Sequence, residues 1–184
     1  MANYALLTAG GHDRPGIVAE ITRVLFEAAC NVEDSAMVRL GGTFNCMLLL
    51  RLPEGQTGDQ LEPQLAAVQE EFGLWVHLSD LSPAEAVEPA TDHPKHTVAV
   101  YGADRPGIVH RISAHLAAQS VNITNLHTQV LHQDPPMYVM EIEVETPNFV
   151  DLDKLDAELA DIGRGIGVEV SMKPKADPLH PTSG

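Results

Sequence analysis

The hexapeptide Asp13-Arg14-Pro15-Gly16-Ile17-Val18 returns unchanged as Asp104-Arg105-Pro106-Gly107-Ile108-Val109, 91 residues later. The same offset carries Ile21 onto Ile112, Leu25 onto Leu116, Asn31 onto Asn122 and Val32 onto Ile123. Further on, Gly73-Leu74-Trp75-Val76 matches Gly167-Val168-Glu169-Val170 at an offset of 94, as small loop insertions would produce. The chain is therefore a duplication, and whatever fold it adopts must close within about 80 to 90 residues and occur twice. Between the copies, Pro83, Pro89 and Pro94 fall in a stretch with no apolar period, which reads as a linker. The expected organisation is a first domain over 1–81, a linker over 82–94, a second domain over 95–173 and a tail over 174–184. The tail, with Pro174, Pro178 and Pro181, is expected to be extended or disordered.

Each copy has one order of periodicities. Tyr4 to Ala9 and Thr97 to Tyr101 are short apolar runs that suit buried strands. A helix follows from Pro15 to about Cys30, with Ile17, Ile21, Val24, Leu25 and Ala28 on one stripe; its counterpart runs from Pro106 to about Ser120. Strands over Val32 to Leu40 and Thr43 to Leu52 flank Gly41-Gly42, a hairpin signal. In the second copy the hairpin lies around residues 133–136, and the return strand alternates Tyr138, Met140, Ile142 and Val144 against Glu141, Glu143 and Glu145. One face is core and the other wet. A second helix carries Leu61, Leu65, Val68 and Phe72 in one copy and Leu152, Leu155, Leu159 and Ile162 in the other, and a last strand closes each. The order β-α-β-β-α-β predicts an α+β chain of two ferredoxin-like domains, each an antiparallel sheet with two helices on one face.

The repeated motif falls at a strand-to-helix junction. Pro15 and Pro106 fit a first helical turn, Gly16 and Gly107 would let another molecule approach the backbone, and Asp13 and Asp104 would cap free amides. A helix start of this kind suits a small carboxylate. The competing reading is a good helix start and nothing more. Asn31 and Asn122 either end their helices in a left-handed conformation or offer an amide to a ligand.

Asp-Arg-Pro-Gly-Ile-Val after a first strand, Asn-Val or Asn-Ile entering the second, and the β-α-β-β-α-β order resemble the ACT domain, a small module that binds amino acids. Two such modules without an attached enzyme resemble the glycine cleavage system transcriptional repressor family. The resemblance implies an amino acid held near the strand-helix loop, at an interface where modules pair sheets or helices. By position the ligand-binding candidates are Gly11, His12, Asp13, Arg14, Pro15, Gly16, Ile17, Val18 and Asn31, and in the second copy Gly102, Ala103, Asp104, Arg105, Pro106, Gly107, Ile108, Val109 and Asn122. It implies a small amino acid such as glycine or serine as ligand, and a DNA-binding activator held as protein partner. A separate regulatory subunit of an amino-acid or one-carbon enzyme is the alternative, and a homodimer is expected.

Charge bears on the partner. The chain carries 26 acidic against 11 basic residues, a net charge of -15, with an acidic excess in both copies. Direct binding to nucleic acid, which works through Lys and Arg contacts to phosphate, is excluded as an expectation, and a partner with a basic surface is favoured. No secretory signal or membrane span is expected, so the location is read as cytoplasmic and reduced.

Catalytic readings are weak. Cys30 and Cys46 sit in hydrophobic patterns and read as core; His12 beside Asp13 is the one acid-base pair to consider. His93 and His96 lie in or beside the linker, and His110 and His115 fall on different faces of a helix, so no metal site and no cofactor is expected. The copies also differ: Val24 becomes His115, and Ala36 and Val38 become His127 and Gln129. Either these line a polar site, or the strand register is slipped so that Leu126, Thr128 and Val130 face the core.

Overall fold

A computed structural model describes residues 3–87, 91–132 and 134–175. The chain divides after residue 90 into two compact units.

In the first unit, β1 (Asn3–His12), β2 (Asn31–Leu40), β3 (Thr43–Leu52) and β4 (Trp75–Leu81) form an antiparallel sheet in the order β2-β3-β1-β4. Helix α1 (Ile17–Glu27) lies between β1 and β2 in the chain. Ala5, Leu7 and Ala9 of β1, Phe44, Cys46 and Leu50 of β3, and Ile17, Ile21, Val24 and Leu25 of α1 are buried in one cluster. Alternate strand residues thus face the helical stripe, as the period-2 and period-3.6 patterns require. The second helix is not one continuous element. It comprises α2 (Gly58–Leu61), a 3-10 turn (Glu62–Leu65) and α3 (Ala66–Phe72). Pro63 explains the break, because it brings no N–H and its ring crowds the preceding turn. The expected apolar residues are nonetheless delivered inward: Leu61, Leu65 and Val68 are buried and Phe72 packs against them.

The second unit repeats the topology with β5 (Lys95–Gly102), α4 (Ile108–Ala118), β6 (Asn122–Leu131), β7 (Met137–Glu145), α5 (Leu152–Ile166) and β8 (Val168–Pro174) in the sheet order β6-β7-β5-β8. Here the second helix is continuous, capped by Asp151, whose carboxylate accepts the Lys154 N–H at 3.1 Å. β8 continues through Pro174, so the tail expected from 174 starts as strand; residues 176–184 lie outside the described residues. The same holds for residues 88–90 of the expected linker.

The register question has a common answer in both units. A bulge at Glu33 shifts β2 between Val32 and Asp34, and one at Thr124 shifts β6 between Ile123 and Asn125. Beyond it, Leu126, Thr128 and Val130 pair with Ile142, Met140 and Tyr138, whose side chains are buried, so this trio shares the helix-facing side. His127 and Gln129 point to the open face of the sheet, as Ala36 and Val38 do in the first unit. His115 does something different: its Nε2 lies 3.0 Å from Glu158 Oε2, and Gln119 donates to the same carboxylate at 3.3 Å. The polar groups of α4 therefore fasten it to α5 of its own unit, where the first unit uses buried Val24.

Candidate functional site

The repeated motif forms the turn between the first strand and the first helix of each unit. Helix α1 begins at Ile17 and α4 at Ile108, with Gly16 and Gly107 as N-cap residues in the left-handed region, φ 100° and 94°. Pro15 and Pro106 thus precede the helix and do not enter its first turn. A proline followed by a glycine at this φ, with ψ near zero, is the central pair of a type II turn. Positive φ is the reason for glycine here. A Cβ on Gly107 would meet nothing within 4 Å, so close packing does not demand it. Close approach is instead the business of Gly11 and Gly102, where a Cβ would stand 2.9 Å from the Gly73 carbonyl oxygen and 2.8 Å from the Val168 side chain.

Arg14 and Arg105 have structural work too. Arg14 Nη2 donates to the Glu71 carbonyl at 2.9 Å, and its guanidinium lies 5.3 Å from the centre of the Phe72 ring. Arg105 Nη1 reaches the Ile166 carbonyl at 3.5 Å. In both units a cation closes the carboxyl end of the second helix, where the dipole is negative. Both guanidinium groups stay exposed while making these contacts.

Asp13 and Asp104 do not cap: neither helix start has a side-chain cap. The cap position is filled by glycine, and an aspartate three residues earlier is carried away by the turn. Asp13 instead donates its backbone N–H to Gly42 O at 3.0 Å, and its carboxylate receives Arg39 Nη1 at 3.5 Å. The tip of the β2–β3 hairpin, with Gly41 and Gly42 both at positive φ as its two-residue loop requires, therefore closes one side of the site. Asp104 lies near Tyr138; burial first and then this carboxylate raise the phenol above its ordinary pKa.

Backbone donors remain free at each turn. Glu20 and Arg111 donate back to Gly16 and Gly107, but among the described residues the N–H groups of Ile17, Val18 and Ala19, and of Ile108, Val109 and His110, have no partner. The aspartate of the same motif meets Arg39 in the first unit and lies near Tyr138 in the second. Ile17 and Ile108 are buried and anchor the turn; Val18 and Val109 are 46% and 39% exposed. His12 and Ala103 are exposed.

Asn31 and Asn122 are not brought to this site. The left-handed residues ending the helices are Ala29 and Ser120, and the asparagines are the first residues of β2 and β6. An 11-residue helix separates Asn31 from the Gly16 turn, about 16 Å along the axis. Its amide donates to Glu33 at 2.8 Å, and that carboxylate also accepts Arg51 at 2.7 Å. Asn31 holds Glu33 below the usual carboxylate pKa range, with Arg51 contributing.

Cys46 is buried and Cys30 partly so; burial pushes both thiols up, away from the nucleophilic thiolate. Among the described residues no three His, Cys, Asp or Glu side chains cluster as metal ligands would, and no helix is long and apolar enough to cross a membrane. Reasoning from the sequence missed Arg39 and Gly42, which reach the turn from the hairpin. The signal available was the hairpin itself, since β1 and β3 pair out to His12 and Thr43.

Comparison with known proteins agrees with this fold. The model of the ACT domain matches residues 3–79 and again 97–173. A glycine cleavage system transcriptional repressor of Escherichia coli K12 is 32% identical over 125 residues, which is 67% of this chain; the chain spans 63% of that relative's length. A protein of unknown function from Galdieria sulphuraria has a solved structure that covers 96% of this chain and all of its own, with 26% identity and a TM-score of 0.80. The solved structure of a candidate glycine cleavage system transcriptional repressor, at 18% identity and a TM-score of 0.66, has the same fold. With both units matched, this chain belongs to the ACT-domain family and is a tandem pair of its modules, related to the glycine cleavage system repressor.

Proposed function

We propose that this protein is a non-enzymatic sensor that binds a small amino acid at the strand-helix turns and controls gene expression through a protein partner. The observation that carries the reading is the row of unpartnered amides at each turn. Three such amides at the positive end of a helix suit a carboxylate, and the aspartate of the same motif, Asp13 or Asp104, suits an ammonium group. An amino acid carries both charges on one carbon. The ligand acts by favouring the packing of the modules to which it binds more tightly.

The edge strands supply the likeness to a dimer site. Every residue of β2 is exposed, and its outer edge is unpaired within the sheet. We place the β2 edge of a second copy there. Antiparallel pairing would lay Asn31 of one copy against the hairpin tip of the other, which touches Asp13, and would bring to the turn the amide its own unit holds away. The excess of negative charge favours a basic partner surface, such as that of a DNA-binding regulator, and a relative named as a transcriptional repressor supports that choice.

A thermal-shift screen of the twenty amino acids, on the native chain and on Asp13→Ala and Asp104→Ala, tests the sensor. Stabilisation by at least one small amino acid, lost in one or both variants, is expected. No stabilisation by any of the twenty contradicts the proposal. Affinity capture then identifies the partner: a DNA-binding regulator is expected, and a metabolic enzyme would assign the chain as a regulatory subunit.

A further inference from the structure

The two turns are alike, but the flanks of the helices that follow are not. In the first unit a cleft of about 220 Å³ runs between α1 and the edge strand β2. Val18 and Ile21 of α1, Met37 of β2, and Phe44 and Leu48 of β3 wall it. It begins at the turn: Val18 is in the first turn of α1, and Phe44 pairs with Gly11. The polar groups in it are few. Thr22 spends its hydroxyl proton on the Val18 carbonyl at 2.7 Å, and Cys46 is held as a neutral thiol by burial.

Equivalent positions follow from the strand pairing. Cys46 pairs with Ala9 and Met140 with Val100, which is the same place in the repeat; Ser35 faces Leu48, and Leu126 faces Ile142. The first unit therefore carries the small Ser35 and Cys46 where the second carries Leu126 and fully buried Met140. Ser35 and Cys46 lie diagonally on neighbouring strands and give up volume beside Leu48, while Met37, which faces Cys46, stands where the second unit has Thr128 against Met140 and so forms the outer wall of the cleft. An apolar cavity of about 150 Å³ stays dry and takes up a molecule the size of benzene. This one has a larger volume and is a surface cleft whose wall nearest the turn is Val18.

We infer that the α1–β2 cleft of the first unit receives the apolar side chain of the bound amino acid, so that this unit selects an aliphatic amino acid of about leucine size over glycine. The inference rests on the amino-acid-sensing reading and narrows it to a side-chain class for one unit.

Methyl NMR of the full chain, with Met and Val methyls labelled, reads the cleft directly during titration with glycine, alanine and leucine. Leucine is expected to shift Met37 and Val18 methyl signals and to leave Val109 in place. Its affinity for the first unit should exceed that of glycine by on the order of 10- to 100-fold, the gain from burying a four-carbon side chain. Ser35→Leu and Cys46→Met import the second unit's residues. Each should raise the melting temperature of the free protein, which establishes folding, and weaken leucine at least about tenfold while sparing glycine. Binding of glycine with no leucine response at Met37 and Val18 overturns the side-chain assignment and leaves the sensor reading intact. Leucine binding that survives Ser35→Leu overturns it as well. If Ser35→Leu changes the sedimentation of the free chain and no amino-acid affinity, the cleft seats a side chain of a second copy and the inference falls. Failure of every amino acid, glycine included, takes down the sensor reading and this inference with it.

Discussion

Gly16→Ala separates a structural motif from a binding motif. Gly16 has φ 100° as the second central residue of a Pro-Gly turn, and alanine in the left-handed region is strained by about 1–2 kcal/mol. A Cβ there would meet the Phe72 ring at 3.5 Å, ordinary contact that adds little. The cost should therefore be almost all backbone. With a urea dependence of about 1–3 kcal/mol per molar, the midpoint of the first unit should fall by on the order of 1 M. The assay is convenient because the single tryptophan, Trp75, lies on β4 of the first unit, so fluorescence reports that unit. Gly16→Asn, which tolerates positive φ better, should cost less than Gly16→Ala, and Gly16→Val more. Gly107→Ala, at φ 94° with nothing within 4 Å of the added carbon, should cost as much and be visible in far-ultraviolet circular dichroism. If Gly16→Ala and Gly16→Val leave the midpoint where it was, the turn is not what selects glycine, and the motif must be explained by its ligand alone.

Arg14→Ala removes the bond to the Glu71 carbonyl and the stacking on Phe72; about 1 kcal/mol of stability should be lost from the first unit, read by the same fluorescence transition. A double-mutant cycle on His115 and Glu158 should give a coupling of about 0.5–1 kcal/mol from their hydrogen bond. Leu7→Ala, at a fully buried position on the central strand β1, should cost about 2–5 kcal/mol in urea unfolding. Burial raises the pKa of Cys30 and Cys46, so the folded chain holds thiol protons that the unfolded chain releases. Stability should be flat below about pH 8.5 and fall as pH rises beyond it, and Cys46→Ala should flatten that fall. A pH-independent stability from 8 to 10 would contradict it.

The fold was legible because duplication doubled every signal. One hexapeptide set the register of the copies, and the alternation in Thr43–Leu52 set its strand to the residue. Two kinds of information were not local. The bulges at Glu33 and Thr124 invert the facing of the strand beyond them, and a period-2 pattern cannot announce the residue at which it slips. The capping role expected of Asp13 and the first-turn place expected of Pro15 were also overturned, and the partners of the motif's neighbourhood are distant in sequence. Arg14 finds Glu71 and Phe72, Gly11 meets Gly73, and Asp13 meets Gly42 and Arg39. The sequence places Asn31 at the far end of the helix from the turn, and the structure keeps it there as the first residue of β2. Much of the motif's identity between copies is thus the requirement of a turn and a helix clamp. What the fold does not use is the row of first-turn amides.

Those amides are the direct test. A titration of isotope-labelled protein with each amino acid, followed through backbone amide signals, should give saturable shifts at Ile17, Val18 and Ala19 or at Ile108, Val109 and His110, with Asp13 or Asp104 and the hairpin tip at Gly42 moving alongside. Absence of a saturable shift at both turns for all twenty amino acids, with the chain folded, would contradict the account of this protein as an amino-acid sensor.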